Sequence, residues 1–146
     1  MEALKNITQT LWVGGMWAIG FIAAPVLFRV FSSGQAGSAV GIMFTWMAWV
    51  GIVCGFFLLF HAIYNHGLRV VKTAPFWLVL GMLVCTFANH FAVFPIISEL
   101  KSQASVAAKG VLGGGFSTWH AISSLIYGVQ CLLGLFLVIK DSSRGR

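Results

Sequence analysis

The chain has 146 residues, 59% of them hydrophobic and 8% charged, with a formal net charge of +6. A water-soluble domain carries roughly 25% charged residues, so this composition excludes one and indicates a single integral membrane domain. The basic excess does not point to nucleic acid, because the Lys and Arg residues sit in short loops and tails beside apolar stretches, where topology and anionic lipid account for them.

The first apolar stretch predicts a helical span from about Ile7 to Phe31. Lys5 precedes it as in a signal peptide, but the apolar run Leu11 to Phe28 exceeds the usual 7–15 residues, and the span is expected to stay uncleaved. Within LWVGGMWAIGFIAAP, the residues Gly14, Ala18, Phe21 and Pro25 share one face. Small residues let helix backbones approach where lipid is as apolar as the helix, so this face is expected to pack on another span. Pro25 frees the carbonyl of Phe21 and is expected to kink the far end.

Ser32-Ser33-Gly34 breaks the chain, and a second span is expected from Ile42 to Tyr64. Met43, Met47, Cys54 and His61 lie on one of its faces at helical spacing. A loop with His66, Arg69 and Lys72 follows, and Pro75 suits the start of a third span, Phe76 to Ile97. Met82, Cys85, Thr86 and Asn89 share a broad face of that span, while His90 points ~100° away toward a different neighbour. The connection from Ser98 to Gly115 contains SELKSQASVAAK, expected as a short surface helix, and a Gly113-Gly114-Gly115 break.

The fourth span, Phe116 to Ile139, reads FSTWHAISSLIYGVQCLLGLFLVI and has no Asp, Glu, Lys or Arg. Ser117, His120, Ser124, Tyr127, Cys131 and Gly134 form a stripe along it. Such a stripe faces protein, water or a ligand rather than lipid, and Ser124, Tyr127 and Gly134 are expected to pack against the other spans. The fold class is therefore all-α, a four-transmembrane-helix bundle of antiparallel up-down topology. Several tryptophans among Trp12, Trp46, Trp49, Trp77 and Trp119 are expected at the membrane interfaces. Lys5, Arg69, Lys72, Lys140, Arg144 and Arg146 fall on one side, against Arg29, Lys101 and Lys109 on the other, which predicts both termini in the cytoplasm.

The spans hold no carboxylate or basic residue deep in the apolar region, so a proton relay built on carboxylates is excluded. His90 and His120 share a depth in the outer half with Met43 and Met47, a set of soft and imidazole donors suited to Cu(I). Two histidines from different helices also suit haem. The three cysteines, Cys54, Cys85 and Cys131, lie inside spans and form no CxxC pair. Ser123 and Ser124 lie near His120 without an orienting acid, and Gly113-Gly114-Gly115 lacks the lysine of a phosphate loop, so no enzyme is expected.

LWVGGMWAIGFIAAPVLF in the first span and FSTWHAISSLIYGVQCLLGLFLV in the last resemble the bacterial membrane family called domain of unknown function 4149, related to the transmembrane-protein-205-like proteins. The resemblance implies a four-helix inner-membrane protein and no established reaction. Family members have His-Gly where this chain has His120-Ala121. More distantly, the chain is similar to copper-resistance and haem-dependent protoporphyrinogen oxidase types, but Gln9 and Trp12 stand where those have a first-span histidine, which argues against transferring either activity. The expected function is a structural or accessory subunit packing on a larger membrane complex or on copies of itself, in contact with membrane lipid. A copper- or haem-handling protein using His120 and His90, and a channel or carrier for a small solute, are the alternatives.

Overall fold

A chain in hydrocarbon must satisfy its backbone hydrogen bonds within itself, and a sequence this apolar does so as helices. The computed structural model describes residues 2–102 and 116–144, and no strand occurs among them. The first span is α1 (Glu2–Trp17), a π-helical turn (Ala18–Ala23) and α2 (Ala24–Val30). The second is α3 (Ser33–His66), joined by a 3-10 segment (Gly67–Lys72) to the third. The third is α4 (Ala74–Phe87), a second π turn (Ala88–Val93) and α5 (Phe94–Ser102), and the fourth is α6 (Phe116–Arg144). Four helical stretches are long and apolar enough to cross a membrane, Glu2–Val30, Gln35–Asn65, Ala74–Glu99 and Thr118–Ser142.

The helices run past the apolar stretches at several ends. α3 starts at Ser33 rather than near Ile42, because Gln35, Ala36, Ser38 and Ala39 continue a helix although they are not apolar enough to mark a span. The Ser32 hydroxyl donates to Gln35 Oε1 at 3.1 Å beside this helix start. Gly67 ends α3 with φ +58, a backbone conformation that a side chain resists. Pro75 sits in the first turn of α4, where its missing N–H costs nothing. Residues 103–115, with Lys109, most of the expected surface helix and the glycine break, lie outside the described residues.

Each span packs on the next, and the fourth closes on the first, giving the up-down bundle. Lys5 Nζ donates to Asp141 Oδ1 at 2.9 Å, which ties the start of the first span to the end of the fourth. Trp12, Met16, Met82 and Cys131 fill the centre with fully buried side chains. Glycines on the facing helices make room for them. A Cβ at Gly51 would stand 2.6 Å from Trp12 Nε1, and one at Gly134 would stand 3.3 Å from Met82 Cε.

This arrangement corrects the expected packing face of the first span. Gly14, Ala18 and Pro25 are exposed, and nothing among the described residues lies within 4 Å of a Cβ placed at Gly14. The buried face is Gln9, Trp12, Val13 and Met16. Close approach is achieved by large residues on α1 against glycines on α3 and α6, so the small residues that matter lie on the partner helices. The stripe on α6 is likewise rotated. Tyr127, Cys131 and Gly134 turn inward, but His120 and Ser124 are exposed, and the buried line runs through Trp119, Gln130 and Leu137. Trp46, Trp49 and Trp77 are exposed, whereas Trp12 and Trp119 are core residues.

The kink expected at Pro25 takes the form of a π turn directly ahead of it. Proline removes an N–H and crowds the carbonyl four residues back, and a widened turn relieves both. The same device precedes Pro95. The two π turns begin 70 residues apart, at Ala18 and Ala88, and Trp12 and Met82 share that separation. The first and third spans are thus built alike.

Candidate functional site

The second π turn opens a chamber of about 50 Å³ in the half of the bundle away from the termini. The third span contributes Thr86, Asn89 and His90, and the fourth contributes Ser123, Tyr127 and Gln130. Thr45 and Met47 come from the second span, and Met16 from the first. Among the described residues no Asp, Glu, Lys or Arg lines it.

The polar groups are held by one another. The Thr86 hydroxyl donates to the Met82 carbonyl at 2.9 Å. Its one proton is thereby used, so the group that approaches Thr86 Oγ1 from Gln130 at 2.8 Å is the amide Nε2, donating. That fixes the amide orientation and leaves Gln130 Oε1 as an acceptor with no partner among the described residues. Thr86 and Gln130 are only 4% and 5% exposed. The Ser123 hydroxyl donates to Asn89 Oδ1 at 2.7 Å, while Asn89 Nδ2 donates to the Ser123 carbonyl over a long 3.4 Å. The Tyr127 hydroxyl donates to the Met16 carbonyl at 2.6 Å, just ahead of the first π turn. Gly20 permits this, since a Cβ there would stand 2.5 Å from Tyr127 Cε1. His90 is held by its ring contacts, 4.8 Å from Phe91 and 6.0 Å from Trp49 between centroids.

The chamber therefore offers hydrogen-bonding capacity that the protein does not consume. Gln130 Oε1 can accept, and the Asn89 amide and His90 imidazole on the same walls can donate. Apart from the His90 imidazole, the described walls carry no side chain that would neutralise a charge, so an ionised guest would bear much of its desolvation cost.

The residues named from sequence divide around this chamber. Asn89 and His90 both line it, although adjacent helical positions point ~100° apart. The cavity lies where the helix widens and reaches both. Met47 and Tyr127 also line it. Met43 is half-buried and not on its wall, and His120 is exposed, its carbonyl accepting the Ser124 hydroxyl at 2.9 Å. The suggested copper set is thus split, with Met47 and His90 at the chamber and Met43 and His120 elsewhere. Among the described residues no three His, Cys, Asp or Glu side chains gather where a metal ion would need them. The three cysteines are free. Gln130 was missed by sequence reasoning, and Ser123 was considered only as a nucleophile. The available signal was their spacing, because Ser123 and Gln130 stand seven residues apart and on one helical face.

A second cavity of about 100 Å³ lies at the end carrying the termini, with Lys5, Gln9, His61 and Asp141 on its walls. Here Lys5 bridges Glu2 at 3.0 Å and Asp141, and His61 Nε2 lies 3.1 Å from Asn65 Nδ2. His61 is buried far along the bundle from His90, as its place near the other end of the second span required.

A family model, described as a domain of unknown function, matches residues 7–105. The chain belongs to the domain of unknown function 4149 family. The match takes in the first three spans and the start of the connection after them, and so includes the Met16, Met47, Asn89 and His90 walls of the chamber. The family carries no assigned activity that these residues would inherit. Neither the curated proteins nor the solved structures give a match to the chain.

Proposed function

We propose that this membrane protein binds a small uncharged hydrogen-bonding solute in the chamber formed by Asn89, His90, Ser123, Tyr127 and Gln130. It sits in the bacterial inner membrane with both termini in the cytoplasm, which puts the chamber in the outer half. The observation that carries the reading is Gln130 Oε1, which has no partner among the described residues and stands on the wall of a cavity that the Asn89 amide and the His90 imidazole also line, with no Asp, Glu, Lys or Arg among its described lining. A guest that donates to it adds a hydrogen bond worth about 0.5–1.5 kcal/mol. The reading is of a binding or carrier protein rather than an enzyme, since nothing in the chamber pairs a nucleophile with a base.

Native mass spectrometry of the protein released from its own membrane tests this. The wild type is expected to carry a neutral adduct, lost in Gln130→Leu and in Asn89→Leu. Both variants should fold, because Thr86 keeps its bond to Met82 and Ser123 can turn to a helix carbonyl. A wild type without adduct, or an adduct unchanged in both variants, overturns the proposal.

A second reading is supported by the exposed Gly14, Ala18 and Pro25 face. This face is exposed in the described bundle and suits a neighbouring membrane protein or a second copy, as an accessory subunit would use it. Blue-native electrophoresis of Gly14→Leu against the wild type would separate the two readings.

A further inference from the structure

We infer that the bundle holds a second site for the same guest at the end carrying the termini, and that the guest is a small uncharged amide that passes between the two. This rests on the reading of the chamber as a solute site. The cavity of about 100 Å³ at that end takes its walls from all four spans, with Gln9, His61, Val79 and Leu137 among them. Gln9 is only 6% exposed and has no hydrogen-bond partner among the described residues, so both halves of its amide remain available on this wall. Asn65 Nδ2 donates to the His61 carbonyl at 2.9 Å, which fixes the orientation of that amide. Its other proton goes to His61 Nε2 at 3.1 Å. The neutral imidazole then keeps its own proton on Nδ1, a donor with no partner among the described residues.

The two cavities are alike in chemistry and lie in line. Each carries a glutamine with unused hydrogen-bonding capacity and an imidazole, Gln130 with His90 and Gln9 with His61. On the first, third and fourth spans their walls stand seven residues apart, at Gln9 and Met16, Val79 and Thr86, and Leu137 and Gln130. Seven residues of helix rise about 10 Å. The layer between holds Trp12, Met82 and Cys131, which are uncharged and fully buried. Met82 is the side chain of this layer with most freedom to swing aside, being unbranched with three rotatable bonds.

Chemistry and size define the guest. Lys5, Glu2 and Asp141 on the second cavity pair with one another, and they are more exposed than Gln9 and His61. They could meet an ionised guest, but no Asp, Glu, Lys or Arg among the described lining of the chamber could. A neutral guest suits both. The complement of the free Gln9 amide is an edge with a donor and an acceptor side by side, which another amide presents. In the chamber the same edge donates to Gln130 Oε1 and accepts from Asn89 or His90. One water needs roughly 10–15 Å³, so cavities of about 50 Å³ and 100 Å³ take a guest of the size of urea.

The test uses the full chain in liposomes, with urea entry followed by stopped-flow light scattering. The wild type is expected to admit urea faster than protein-free liposomes. Gln9→Leu and Gln130→Leu should each slow the added flux about tenfold, the factor that one lost hydrogen bond corresponds to. Gln9→Leu should fold, because it replaces an unpartnered buried amide by an apolar group of similar shape, and its thermal stability should equal or exceed that of the wild type. Acetamide should compete with urea in the wild type, and formate, which is ionised, should not. Urea entry no faster than in protein-free liposomes, entry unchanged in either variant, or competition by formate overturns the proposal. If Gln130→Leu abolishes a native adduct while Gln9→Leu leaves urea entry unchanged, the second site falls and the chamber reading stands. Absence of both adduct and flux removes both.

Discussion

Single residues show how this bundle reaches close packing. Trp12 is fully buried, and Gly51 is the reason it fits. Its indole Nε1 has no hydrogen-bond partner among the described residues, so the bulk of the ring is what the site uses. Two glycine substitutions should therefore behave oppositely. Gly51→Ala forces overpacking against Trp12 and is expected to cost about 1–3 kcal/mol. Gly14→Ala places a Cβ that meets nothing within 4 Å among the described residues and should not lower stability. Reversible unfolding in mixed micelles measures both, and the reverse ranking would refute the assigned face. The sequence pattern favoured Gly14 because it reads small residues at four-residue spacing. It cannot see that a large residue on one helix and a glycine on another pack equally well. For the same reason Gln130 was invisible as a site residue, since its role depends on Thr86, 44 residues away.

Among the elements, the π turns decide most. Both precede a proline, and both widen a span in the half away from the termini. That Pro25 disturbs the regular helix ahead of it was legible, because a missing N–H and a crowded carbonyl are local facts. The form of the relief is not local. Without Pro95 the third span has no steric reason to widen, and Pro95→Ala is expected to restore regular α-helical spacing and turn Asn89 away from Ser123. In a background with Cys54, Cys85 and Cys131 replaced, cysteines at 89 and 123 should be bridged by a short bifunctional thiol reagent, and Pro95→Ala should reduce that bridging. Undiminished bridging would show that the turn is held by its neighbours instead. Span existence was legible from apolar runs alone. Helix ends were less so, as α3 shows, because polar residues that tolerate a helix carry no membrane signal.

Across the whole molecule, the first and third spans repeat while the chamber does not. Thr86 stands 70 residues after Met16, and Gln130 stands as far after Met47 as Gly134 does after Gly51. Equivalent places thus carry methionines in the first half and hydrogen-bonding side chains in the second, which makes one wall of the chamber apolar and the other polar. The Lys5–Asp141 pair closes the bundle at its other end. Asp141→Asn is expected to lower stability by about 1 kcal/mol or less, given its partial exposure, and the exchange Lys5→Asp with Asp141→Lys should recover most of it. Thermal unfolding of the three variants checks this, and an exchange no better than the single change would remove the pair as a closing contact. The sequence by itself determined the membrane class, the number of spans and their alternation. Those follow from hydropathy, which each segment carries alone. Only the tertiary structure decided which face of each helix turns inward, and hence which polar groups meet. That depends on the volumes of residues from different spans filling one interior, which no segment specifies without its partners.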